Sequence, residues 1–201
     1  MTAPSRWVLA TTNRHKIREI RAILRDLPIV LAGLDEFPPI VPPEEAGATF
    51  AENARLKALY YARETARPAV AEDSGLEVDA LEGIPGVQSA RFGGEDATYP
   101  ERFAALYGML AGRGVSGSTA RFVCHVALAI GDEVVFDARG TVEGRIAPEP
   151  RGTGGFGYDP IFFHPPSGAT LAEVSSERKA EVSHRGVAFR KVAGWLGRCA
   201  R

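Results

Sequence analysis

Cysteine is almost absent from this chain. Its two cysteines, Cys124 and Cys199, lie far apart and outside any C-x-x-C spacing, which removes a disulfide framework and a structural zinc site and points to a reducing cytoplasm. No apolar run approaches the roughly 20 residues that a membrane helix requires. The few apolar residues before Thr11 are too few for a signal-peptide core, so neither a membrane partner nor secretion is expected. An excess of one charge is missing as well. The 24 Lys+Arg against 25 Asp+Glu leave a formal net charge of -1, which argues against a nucleic-acid partner and leaves small anionic ligands open. Two catalytic spellings are also absent: there is no G-x-x-x-x-G-K-[ST], and Ser74 sits in Asp-Ser-Gly rather than G-x-S-x-G. No internal repeat or low-complexity tract interrupts the chain.

What is present is a chain of 201 residues, 45% hydrophobic, enough to bury a sizeable core as a single domain spanning 1–201. Trp7 to Ala10 reads as a strand. Asn13 is placed to cap a helix whose Ile17, Ile20, Ile23, Leu24 and Leu27 recur at helical spacing. Ile29 to Ala32 reads as a second strand, followed by a proline-rich loop carrying Glu44 and Glu45. Thr49 and Glu52 have capping-box spacing ahead of a helix that ends near Pro68. Pro68 to Ala71 is a short buried-strand candidate, which would leave Glu72 and Asp73 at a strand's C-terminal end before a tight turn at Ser74-Gly75. Thr98 and Glu101 open a third helix. Ala120 to Ile130 and Glu133 to Ala138 form a hairpin about Gly131-Asp132, with Thr141 to Ile146 as a further strand. Ala188, Val192, Trp195 and Leu196 mark a last helix. The fold class is α/β with a mixed sheet.

Four segments offer chemistry. Thr11 to Lys16 joins a strand to a helix N-terminus and combines hydroxyls, backbone donors and a lysine, as a phosphate requires, although capped loops of this kind are more often purely structural. Glu44-Glu45 and Glu72-Asp73 supply hard oxygens of the type that magnesium takes, alongside substrate phosphates. Lys57, on one face of a helix, is uninformative alone, and His125 reads as a structural residue on a strand. Ser176 to Arg185 is rich in donors and, by itself, reads as a solvated face. The last is Gly152-Thr153-Gly154-Gly155-Phe156-Gly157-Tyr158-Asp159-Pro160. It spells G-x-G-x-x-G, but a dinucleotide loop must open a helix, and Pro160 with an extended Ile161-Phe162-Phe163 denies it one. What remains is a backbone able to approach a ligand beside an aromatic ring able to stack on one.

Taken together, these segments resemble the inosine-triphosphate pyrophosphatase family, which hydrolyses non-standard purine nucleoside triphosphates such as ITP, dITP and XTP. The likeness is carried by Leu9 to Asn13 with Lys16 and Glu19, and by Thr49 to Ala54 with Lys57-Ala58. It continues through Asp73 to Leu76 with Pro85-Gly86 and Ser89 to Arg91, then Gly152 to Pro160 and Ser183 to Gly186, in one order along nearly the whole chain. The resemblance implies an elongated, two-lobed α/β domain with a twisted, mixed central sheet flanked by helices, a nucleotide cleft between the lobes, and a homodimer. It implies Mg2+ held by Glu44 and Asp73, with Asp73 also the proton acceptor for the attacking water, and Glu45 and Glu72 as outer acids. It places Thr11, Thr12, Asn13, Arg14, His15 and Lys16 at the triphosphate, with Lys57 a further partner, and makes Ser74 a further substrate-binding residue. Phe156 would stack on the base, while Gly157, Tyr158, Asp159, Lys179, His184 and Arg185 line it. Thr12 and His15 stand where the family commonly has glycine.

Overall fold

The computed structural model describes residues 6–27 and 29–199. Seven strands, β1 (Arg6–Leu9), β2 (Val30–Ala32), β3 (Ala69–Val78), β4 (Thr119–Ile130), β5 (Glu133–Ile146), β6 (Phe162–His164) and β7 (Ala169–Thr170), form one sheet in the order β2-β1-β3-β4-β5-β6-β7. The sheet is mixed, as expected: β1 pairs in parallel with β2 and β3, whereas β6 pairs antiparallel with β5 and β7. Among the described residues five α-helices accompany it, α1 (Arg14–Leu24), α2 (Phe50–Thr65), α3 (Tyr99–Gly112), α4 (Ser176–Val182) and α5 (His184–Cys199). None of them is long and apolar enough to cross a membrane.

The helix starts follow from local chemistry. Asn13 Oδ1 accepts from the backbone N–H groups of His15 and Lys16, relieving two of the orphan donors that open α1. Thr49 Oγ1 accepts from the Glu52 N–H at 3.1 Å, and Glu52 reaches back to the N–H groups of Ala48 and Thr49, the reciprocal capping box. In α3 the Glu101 carboxylate likewise accepts from the Thr98 N–H.

The chain divides into two compact units interleaved in sequence. One comprises 1–73, 124–140 and 184–201, the other 74–123 and 141–183. In the first unit the alternation of β3 sorts two cores. Val70 joins Leu9, Ile20, Phe189 and Val192, the side covered by α1 and α5, whereas Ala69 and Ala71 join Ala54, Ala58 and Tyr61 of α2. The second unit packs Leu76, Val78, Phe103, Leu106, Phe122, Ile161 and Phe162 together.

Three expectations are corrected. Strand β3 does not stop at Ala71 and turn at Ser74; it runs ten residues to Val78, so Glu72 and Asp73 lie mid-strand. Leu76 and Val78 are fully buried and prolong the apolar pattern, and the carboxylates are tolerated because each meets a cation. Strand β5 is continuous through Gly140, where a break was expected. A Cβ at Gly140 would stand 2.1 Å from the His184 carbonyl and 2.5 Å from the Ala188 nitrogen, so that glycine admits the first turns of α5 onto the strand. Finally, Ile161 closes a short 3-10 turn, Asp159–Ile161, before β6 begins.

Candidate active site

In the first unit the chemistry gathers on β3. Consecutive strand residues point to opposite faces, so Asp73 follows Ala69 and Ala71 toward α2, and Glu72 follows Val70 toward α1 and α5. Asp73 Oδ1 receives the Lys57 ammonium at 3.1 Å, and Oδ2 receives the Asn53 side-chain amide at 3.2 Å. Asn53 and Lys57 are one helical turn apart on α2 and present a single edge to the strand. Both also hold the proline-rich loop. Lys57 Nζ is 3.1 Å from Glu45 Oε1, and Asn53 Oδ1 accepts from the Gly47 N–H at 2.8 Å. A Cβ at Gly47 would come within 2.6 Å of that amide oxygen, so the close approach requires glycine. Glu44, next to Glu45, is exposed.

Burial pushes the Asp73 carboxyl above its ordinary value, an effect that Lys57 and Lys16 offset only in part. For Lys57, burial alone would lower the ammonium, but Asp73, Glu45 and Glu72 outweigh it and hold it above the ordinary lysine value. The result is a persistent cation against a carboxylate more basic than usual.

On the opposite face, Glu72 Oε1 meets Lys16 Nζ at 2.9 Å and Arg185 Nη2 at 3.0 Å, while the Cys124 thiol donates to Oε2 at 3.4 Å. Arg185 Nη1 reaches Glu19 at 2.7 Å. Burial works to raise Glu72, yet Arg185, Lys16 and Lys57 overcome it and hold the carboxyl well below the usual range. Thr12, Asn13, Arg14 and His15 are exposed at the start of α1, with Thr11 and Lys16 half-buried beside them. The N–H groups of His15 and Lys16 are taken by Asn13 Oδ1, and those of Thr11 and Asn13 by the Leu9 carbonyl and Thr11 Oγ1, so side chains are what this turn chiefly offers an anion.

The second unit holds another arrangement. Asp159 Oδ2 takes the Lys179 ammonium at 2.5 Å and the Phe156 N–H at 2.6 Å, and Lys179 Nζ lies 4.6 Å from the centroid of the Phe156 ring. Gly155 adopts φ +66°, and a Cβ there would sit 2.1 Å from Asp159 Oδ2, so only glycine allows the carboxylate to reach the turn. The Tyr158 hydroxyl donates to the Ser89 carbonyl. The glycine run therefore folds around Asp159 and against Ala172, whose carbonyl accepts from the Gly154 N–H, and opens no helix suited to a pyrophosphate.

The reading of Ser176 to Arg185 as a solvated face holds for Ser176 to Arg178 and Glu181 but is overturned at Lys179 and from Ser183 to Arg185. Lys179 is 4% exposed, His184 5% and Arg185 1%, because Asp159 in one unit and Glu72 and Glu19 in the other draw the charges inward. Sequence reasoning gave Asn53 no role of its own and found Lys57 uninformative alone, although the resemblance made Lys57 a further partner at the triphosphate. The available signal was a polar pair at i, i+4 immediately beside the buried Ala54 and Ala58. His125 is indeed a strand residue, with Nε2 3.6 Å from Asp137. Among the described residues no group of three or more His, Cys, Asp or Glu gathers as a ready-made metal cage. Magnesium can also be held by only one or two carboxylates, with water and phosphate in its remaining positions, and Asp73 is a carboxylate of that kind with Glu45 reached through Lys57.

With this geometry in view, the comparisons are specific. Residues 7–195 match the model of the Ham1 family. The dITP/XTP pyrophosphatase of Geobacter sulfurreducens is 47% identical over 96% of this chain and 97% of its own length. That of Thermus thermophilus is 50% identical over 91% of this chain and 87% of its own. Among solved structures, a HAM1 protein from Coxiella burnetii superposes with a TM-score of 0.89 at 41% identity, covering 97% of this chain and all of that one. A match that begins at the second residue of β1 and ends inside α5 takes in every element of the sheet, and the chain belongs to the Ham1 family.

Proposed function

We propose that this protein hydrolyses non-standard purine nucleoside triphosphates, ITP, dITP, XTP and dXTP, to the monophosphate and pyrophosphate, and so keeps deaminated purines out of DNA and RNA. The observation that carries the chemistry is Asp73: buried, more basic than an ordinary carboxylate, and fixed between Lys57 and Asn53. The names of the relatives support the substrate class.

Asp73 and Glu44 would hold Mg2+, with Glu45 close by through Lys57. Bound Mg2+ supplies charge neutralisation on the phosphates and a lower pKa for water. Asp73 accepts the proton of the water attacking the α-phosphorus, with a carboxylate that Lys57 and Asn53 hold in one orientation. Lys57 remains charged throughout and fixes the orientation of that carboxylate. The side chains from Thr11 to Lys16 contact the triphosphate, and Ser74 is a further substrate-binding residue. In the second unit, Phe156 supplies a stacking face, with Gly157, Tyr158, Asp159 and Lys179 as its frame. His184 and Arg185 supply donors suited to a 6-keto purine. Adenine's 6-amino group would leave such donors without an acceptor, a mismatch that sites of this kind penalise heavily.

The homodimer rests on the family resemblance, and the cytoplasmic setting on the two free, widely spaced cysteines. The decisive measurement is pyrophosphate release from ITP, XTP, GTP and ATP with Mg2+ and then with a chelator. Release from ITP and XTP that stops with the chelator supports the reading. Binding of ITP without release would make the protein a nucleotide sensor and overturn it.

A further inference from the structure

Glu72 lies outside the reaction just described, yet it is among the least accessible charges in the molecule, its side chain 1% exposed. A carboxylate buried so deeply costs several kcal/mol unless it is paired and fully hydrogen-bonded. Its donors come from three separate parts of the chain. Lys16 from α1 and Arg185 from α5 meet at one atom, Oε1, at 2.9 and 3.0 Å, and the thiol of Cys124 on β4 fills Oε2. Arg185 then returns to Glu19, three residues beyond Lys16 on α1. The four charges form a chain, Lys16–Glu72–Arg185–Glu19, closed into a ring only through the backbone of α1, and the positions of Lys16 and Arg185 depend on one shared oxygen.

Strand parity keeps this ring away from Asp73. Glu72 faces α1 and α5, whereas Asp73 faces α2, so both oxygens of Glu72 are committed to the side opposite the Asp73–Lys57 pair. That commitment is incompatible with service as an outer acid of the metal site. We infer that Glu72 is a positioning residue that sets Lys16 and Arg185 against each other, so that the fit of the base at Arg185 is felt by the phosphate ligand Lys16. The inference rests on the reading of Lys16 as a phosphate ligand and Arg185 as a base ligand.

The test is steady-state pyrophosphate release from ITP and ATP by the full chain and by Glu72→Gln, each across a Mg2+ titration. The parent protein must prefer ITP; a parent without that preference fails the functional reading itself. Given that preference, Glu72→Gln is expected to raise KM for ITP about tenfold and to shrink the ITP-over-ATP ratio of kcat/KM by a similar factor, a loss typical of a charged hydrogen bond. The Mg2+ concentration for half-maximal rate should stay within about twofold of the parent, since no metal position is disturbed. An unchanged ITP-over-ATP ratio, or a shift confined to the Mg2+ requirement, would overturn the inference. Should the variant fail to fold, the parent decides: adding pyrophosphate alone should move the Arg185 side-chain NMR signal, and a silent Arg185 would overturn it equally.

Discussion

Two buried Asp–Lys pairs occupy this molecule, one in each unit, and they differ in what surrounds them. Asp73 and Lys57 sit 3.1 Å apart; the lysine is shared with Glu45, and burial leaves the acid more basic than usual. Asp159 and Lys179 sit 2.5 Å apart, and the same carboxylate oxygen also anchors the Phe156 N–H over a glycine that leaves it no spare room. A pair with a divided lysine and a raised acid can exchange a proton. A pair welded to a turn can only hold a ring in place. The residue types are identical and the neighbours differ, which is why the proposed mechanism gives the reaction to the first pair and the shaping of a pocket to the second.

The largest expected effect tests the first half of that contrast. Asp73→Asn should lower kcat by roughly 10²–10⁴-fold, the usual contribution of a general base. Lys57 keeps Glu45 as a partner, so thermal unfolding should remain cooperative; near-parental pyrophosphate release would remove Asp73 from the mechanism. Next, Lys57→Met should cost about 10–100-fold, in line with losses of residues that orient a reacting group. It should also reshape the pH profile. Lys57 restrains the upward shift of Asp73, so its removal pushes that carboxyl further up. The rate, which falls as acid protonates the base, should then begin to fall at a higher pH than in the parent. An acid limb that stays fixed or moves down would show that Asp73 does not set it.

The second pair should respond in KM. Asp159→Asn leaves Lys179 with a neutral partner and frees the Phe156 turn, so KM for ITP should rise about tenfold with a much smaller change in kcat. The broken buried pair should also cost about 3–5 kcal/mol in denaturant unfolding. A loss confined to kcat would erase the distinction between the two pairs. The smallest effect is expected from Gly155→Ala, which places a methyl at φ +66° against Asp159 and should cost about 1–3 kcal/mol of strain, read as a several-fold rise in KM without any change in the pH profile.

The parts of this structure that were legible in the sequence are those decided within a few residues. Asn13, the Thr49–Glu52 box and the Thr98–Glu101 box announce helix starts because the capping groups and the orphan amides they satisfy are near neighbours in the chain. The Pro160 objection to a dinucleotide loop held for the same reason. What escaped was decided at long range. Glu72 reads as lying at a strand's end because its partner Arg185 is 113 positions away, and nothing local to β3 announces that a carboxylate mid-strand will be neutralised. Gly140 looked like a strand break because glycine spells a break as readily as it spells contact with a helix backbone, and only the His184 carbonyl distinguishes the two. Family-level motifs proposed the site residues without saying which of them would be buried.

The adjacency of Glu72 and Asp73 has a further consequence, for tolerance to insertion and deletion. One extra residue between Ala69 and Glu72 would invert the parity of everything after it, turning the glutamate toward Lys57 and the aspartate toward Lys16 and Arg185, each with a side chain one methylene wrong for its new neighbours. Two extra residues would restore the faces. Length changes in this stretch of β3 should therefore be survivable only in even numbers, a counting rule that a library of short insertions scored for activity would expose directly.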